Sequence, residues 1–159
     1  MNEPRVVKLS TAERGEVAIS ALEACLLHAA AGLDRPITLA ALHAAQTGAQ
    51  GGVTIRDAIT AAERAGIQVG FGRRTLGAFD TTLVPAILIL EEDRAVVLEA
   101  VLPDGRLAVY DPALGQGLGE VDRATLEGVY TSYALLLRAE HRDDIALTAA
   151  GRQGHWFWS

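Results

Sequence analysis

The feature that most constrains the fold is a change of hydrophobic period at Gly66. Before it, apolar residues recur three and four positions apart. Leu22, Cys25, Leu26 and Ala29 fall at i, i+3, i+4 and i+7, one stripe along a helix, and Ile55, Ala58, Ile59 and Ala62 repeat the arrangement. After Gly66, apolar residues alternate or run together. Ile67, Val69 and Phe71 alternate with Gln68, Gly70 and Gly72, as in a half-buried strand, and residues 83–90 form an apolar run of strand length. Helices first and strands afterwards predict an α+β domain, with a helical layer packed on an antiparallel sheet.

Cap and turn residues divide these patterns. Ser10 with Glu13 has capping-box spacing, and the first helix is best marked over 17–31, with Gly15 weakening its first turn and Gly32 as its stop. Thr38 is placed to cap a short helix to about Gln46, and Gly48, Gly51 and Gly52 make a flexible loop. Thr54 with Asp57 repeats the capping-box spacing. Arg56, Asp57, Thr60, Glu63 and Arg64 lie off that helix's apolar stripe, and Gly66 is placed for positive φ at its end. The strands expected at 83–90, 95–101 and 107–110 are joined by polar turns at 91–94 and 103–106, a three-stranded meander; Pro85 is tolerable near the start of the first. Residues 111–120 read as a glycine-rich loop. Asp122 is placed to cap a short helix to about Gly128, and 133–137 read as the last strand. The expected organisation is a leader over 1–10, one domain over 11–139 and a polar connector over 140–159.

Composition narrows the class. A chain of 159 residues, half of them hydrophobic, is long enough for one real core. Its net charge of −6 argues against a nucleic-acid partner. The single cysteine forms no internal disulfide, which suits a reducing cytoplasm. Residues 1–10 carry no apolar signal region, and no stretch approaches the roughly 20 apolar residues of a membrane span.

The residues able to carry chemistry are few. Cys25 is placed mid-helix on the apolar stripe, whereas a catalytic thiol needs a helix N-terminus or an imidazole beside it, so it reads as a core residue. His28, His43, His141 and His155 show no metal-ligand spacing with each other or with Cys25, and none falls among the strands. Gly115, Gly117 and Gly119 lack the spacing of a phosphate-binding loop, and no cofactor is expected. Asp111-Pro112, at a strand end, suits either a turn or the carboxylate that orients a catalytic imidazole. His155-Trp156-Phe157-Trp158 suits either a membrane interface or a tail packed back on the domain.

Taken together, these residues resemble the N-terminal bacteriocin-processing cysteine peptidase domain of ABC exporters, and more narrowly its degenerate relatives in type I secretion transporters for RTX toxins and adhesins. In the active family a Gln precedes an Asp-Cys-Gly nucleophile motif that opens the first helix, and a second Cys follows four residues later. Matching Cys25-Leu26 to that second Cys puts Ala21 at the nucleophile position and the oxyanion-hole Gln near Gly15. Leu83-Val84-Pro85-Ala86-Ile87-Leu88 resembles the family's Leu-Pro-Ala-Ile strand. The Gly-His-Phe-Val-Val motif that should follow reads Asp93-Arg94-Ala95-Val96-Val97, so Arg94 takes the histidine position. Asp111 keeps the last triad position. The ending at His155–Trp158 resembles the segment leading into the transmembrane domain.

The resemblance implies a papain-like fold and, with Ala21 and Arg94 in place of nucleophile and base, no peptidase activity. Arg94 stays protonated and is expected to pair with Asp111, filling the groove. The implied role is recruitment or tethering of an unfolded RTX-type protein or adhesin at the cytoplasmic face of the bacterial inner membrane. The implied partners are that substrate and the membrane and ATP-hydrolysing domains of a homodimeric exporter. Two other readings stay open: an active peptidase cleaving double-Gly leaders, and a domain that only stabilises the transporter.

Overall fold

The computed structural model describes residues 20–48, 52–114 and 117–140. The expected Ser10 cap, the leader, the connector beyond Glu140, Gly15, His141 and the tail at 155–158 lie outside them. In chain order the elements are α1 (Ala21–Gly32), α2 (Leu39–Ala44), α3 (Ile55–Arg64), β1 (Ile67–Arg73), a 3₁₀ turn (Leu76–Ala78), β2 (Ala86–Leu90), β3 (Ala95–Val101), β4 (Leu107–Tyr110), β5 (Leu118–Val121), α4 (Arg123–Glu127) and β6 (Tyr130–Ala139).

Helix α1 starts at Ala21, not at 17. Ser20 is its N-cap: the Ser20 hydroxyl accepts from the Glu23 N–H, and Glu23 accepts from the Ser20 N–H at 2.7 Å, a full capping box. The helix ends at Gly32, the stop expected of it. The left-handed turn is taken by Asp34 at φ 63°, with the Arg35 N–H reaching back to the Ala30 carbonyl. Helix α3 carries the capping box expected of Thr54 and Asp57, and Gly66 follows it at φ 89°. Asp57 lies off the apolar stripe but is not exposed there. It is fully buried, because its carboxylate also accepts from the Thr47 backbone and hydroxyl and so ties the preceding loop to the helix.

The sheet has six antiparallel strands in the order β1-β6-β2-β3-β4-β5. The meander runs one strand further than expected, because 118–121 pairs with β4 instead of remaining loop. The last strand, longer than its apolar run, inserts between β1 and β2. The β2–β3 turn has Glu92 and Asp93 at φ 64° and 60°, the paired positive values that suit a two-residue hairpin.

Both faces of the sheet are covered. Ile67, Ile87, Val97, Leu135 and Leu137 pack under Cys25, Leu26 and Ala62 of the helical layer. Leu88, Val96, Leu98 and Leu136 pack on the other face with Leu76, Phe79 and Leu126. Two buried faces explain why β2 reads as an unbroken apolar run. Pro85 lies just before β2, after a cis Val84–Pro85 bond. Among the described residues no helix is long and apolar enough to cross a membrane.

Candidate functional site

A groove of about 380 Å³ runs between the start of α1 and the β2–β3 turn. Ser20, Leu22, Val53 and Thr54 line one side, and Ile89, Asp93, Arg94 and Ala95 the other. Ala21 is the first residue of α1, between the two groove residues Ser20 and Leu22. A thiol there would sit at a helix N-terminus, where the helix dipole favours thiolate. The methyl group of Ala21 has no such chemistry.

Arg94 reaches Asp111 across the turn. Its Nη2 donates to Asp111 Oδ2 at 3.1 Å, with the Arg94 side chain 43% exposed and that of Asp111 13%. The other carboxylate oxygen accepts the Ala113 N–H at 2.9 Å. Asp111 therefore starts a turn and holds a cation at once; its carboxylate meets a guanidinium, not the imidazole of the second alternative. A guanidinium stays protonated and has no free lone pair, so Arg94 itself offers no general base.

Ser20 places a hydroxyl on the α1 wall beside Ala21. It is engaged as the helix cap. The nearby imidazole of His43 bonds instead to Glu23 Oε2 at 3.3 Å. Serine, glutamate and histidine thus cluster, but around the cap, with Glu23 as their shared partner. Sequence reading missed this cluster, although Ser20 and Glu23 have the same i, i+3 spacing as the recognised boxes.

Cys25 lies one turn along α1 and has no solvent exposure. Burial pushes its thiol far above the ordinary value, and the negative charge of Asp111 pushes in the same direction. It is the opposite of an activated cysteine.

A second group that sequence reading missed lies further along α1. His28 is bonded to Glu99 of β3 and stacks on Tyr110 of β4, ring centroids 3.8 Å apart and 4° from parallel. Glu99 sits at a bulge, where the register moves from Leu98↔Val109 to Ala100↔Ala108. With His28 and Glu99 71 positions apart in the chain, no local spacing announces the contact. Among the described residues, no cluster of three or more His, Cys, Asp or Glu could hold a metal ion.

No family model and no curated protein matches this sequence. Solved structures do match it in fold. The N-terminal peptidase C39 like domain of the toxin secretion ATP-binding protein from Vibrio parahaemolyticus superposes with a TM-score of 0.69 at 22% identity, over 77% of this chain and 99% of that one. A double glycine motif protease from an AMS/PCAT transporter, in complex with its leader peptide, gives 0.64 at 18% identity, over 77% and 86%. The peptidase domain of Streptococcus ComA, a bi-functional ABC transporter, gives 0.58 at 19% identity, over 74% and 88%. The chain therefore has the α+β fold of the C39-like peptidase domains of ABC transporters.

Proposed function

We propose that this chain is a catalytically silent peptidase-like domain of a type I secretion ABC exporter. It recruits or tethers an unfolded RTX-type toxin or adhesin at the cytoplasmic face of the inner membrane, beside the membrane and nucleotide-binding domains of a homodimeric transporter. The observation that carries the reading is the Arg94–Asp111 pair at 3.1 Å beside a groove lined by Ser20 and Leu22, with Ala21 between them as the first residue of α1. A permanently protonated cation occupies the carboxylate that an imidazole base would need, and an alanine stands where the helix would activate a thiol. The fold supports an exporter context, since the matching structures come from a toxin secretion protein and from peptidase-bearing transporters. One of them holds a leader peptide, which favours a polypeptide partner here as well.

Two measurements test the reading together. The domain, immobilised, should retain an unfolded cognate substrate and release it once the substrate folds; no retention in either state sinks recruitment. Wild-type protein should leave a double-Gly leader peptide uncleaved over long incubation, and turnover abolished by Cys25→Ala would overturn the silent-site assignment in favour of a leader peptidase. A domain that only stabilised the transporter would, on deletion, lower transporter abundance and leave secretion per transporter unchanged.

A further inference from the structure

The edge of the sheet at β1 carries a surface that neither core nor groove uses. β1 is the terminal strand of the described sheet. At its two ends the Glu140 N–H donates to the Gly66 carbonyl and the Arg74 N–H to the Ser132 carbonyl, each at 2.8 Å. Hydrogen-bonded pairs recur every second residue in an antiparallel ladder. With Ile67 opposite Ala139 and Arg73 opposite Tyr133, Gly70 and Gly72 therefore bond to β6. Val69, Phe71 and Arg73 turn their N–H and C=O groups outward.

The side chains beside this edge are open too. Phe71 is 44% and Tyr133 41% exposed, large aromatics left uncovered on the face that Ile67 and Val69 bury. Their rings stack at 5.6 Å, and the Arg73 guanidinium lies 5.8 Å from the centre of the Tyr133 ring. On the opposite face a Cβ added at Gly72 would meet nothing within 4 Å. The local charge is reversed against the rest of the chain. Residues 64–79 hold Arg64, Arg73 and Arg74 and no Asp or Glu, and 128–139 hold Arg138 and no acid, in a protein of net charge −6.

We propose that the β1 edge over residues 69–73 is a docking edge for an extended, acidic segment of the unfolded polypeptide that the domain recruits, an inference that rests on the recruitment reading above. The segment adds as a seventh strand. Its main chain bonds to the outward groups of Phe71 and Arg73, which is independent of sequence. Its apolar side chains lie on the Phe71–Tyr133 platform, and its carboxylates meet Arg73. Charge selects this occupant over a second copy of the chain, because pairing two β1 edges would gather two sets of arginines on one strand pair.

The test titrates the full chain with a short synthetic peptide alternating Asp with Val, and with its Lys-for-Asp counterpart. The acidic peptide should bind, weaken with added salt, and slow amide hydrogen exchange at Phe71 and Arg73. Arg73→Glu should weaken it about tenfold or more. Phe71→Pro removes an outward donor while leaving the ladder bonds of Gly70 and Gly72, and should weaken it as well. Equal binding of the lysine peptide overturns the proposal, as does protection at Ser20 and Arg94 in place of β1. Edge amides already protected in the peptide-free protein also overturn it: at every dilution they mean the chain covers its own edge, and only at concentrations where sedimentation finds dimers they mean a second copy does. Substrate retained equally by wild type and Arg73→Glu sinks the edge and spares recruitment. Peptide bound at β1 with no substrate retained leaves an acidic-peptide site and sinks recruitment.

Discussion

Arg94 and Asp111 form an ion pair whose cation is nearly half exposed, so it holds position more than it holds the fold. Arg94→Ala should cost only about 0.2–1 kcal/mol in urea unfolding, a figure reduced by solvent screening. The same residues allow a chemical test of what was lost. Ala21→Cys combined with Arg94→His should give a thiol that alkylates much faster at neutral pH than Cys25, which should react only as the protein unfolds. Equal rates for the two thiols would mean that Ala21 does not stand at an activating position. Tyr130 provides a residue-scale reading of pH. Its hydroxyl donates to the Arg74 carbonyl at 2.6 Å, and burial raises it to about 12 from the ordinary 10, against a smaller lowering from the Arg74 charge. Between those values the unfolded chain has lost the proton that the folded one keeps. Stability is therefore full below pH 10 and falls as pH rises towards 12. Tyr130→Phe should flatten that alkaline decline in thermal melts. Asp57 acts at the other end of the scale. Hydrogen bonds from Thr54, outweighing its burial, hold its carboxylate below the ordinary 3.8, with Thr47 adding to them. Its contribution is present above that value and is lost as pH falls through the lowered folded-state one.

At the scale of elements, helix α1 depends on its cap. Ser20→Ala removes the acceptor for the Glu23 N–H, frees Glu23 from its reciprocal bond, and should cost about 1 kcal/mol in chemical unfolding. The β4–β5 connection depends on Gly117, at φ 83°, where an added Cβ would lie 2.5 Å from the Tyr110 ring. That ring is held by its stack on His28, so it has little freedom to move aside. Gly117→Ala should lower Tm by several degrees and alter the near-UV dichroism of Tyr110; an unchanged spectrum would mean the loop yields instead. Element boundaries show what a local pattern can and cannot convey. The Thr54–Asp57 box was legible because both partners lie within one turn. Ser20–Glu23 had the same spacing, but the apolar pattern extends back through Val17 and hid the start at Ala21. Strand β5, with Leu118 exposed, offers no alternating core signal and forms because it extends β4.

For the whole molecule, one sheet shared by two apolar layers makes stability a collective property. Leu135, fully buried in the strand between β1 and β2, should cost about 2–5 kcal/mol when cut to alanine, seen as a lower urea midpoint with an unchanged slope. What the sequence determined by itself was whatever neighbouring residues decide: the helical period before Gly66, the strand runs after it, the turns at 91–94 and 103–106, and hence the α+β class. The resemblance, carried by motif order and not by spacing alone, added the expectation that Arg94 would meet Asp111. Only the tertiary structure decided that β6 enters between β1 and β2, that His28 meets Glu99, that Asp57 is buried, and that Phe71 and Tyr133 are left open at the edge. The physical reason is range. Caps, turns and periods are set by forces acting within three or four residues. Strand order and side-chain partners are set by which arrangement buries the most apolar surface at once, and no single stretch of the chain carries that information.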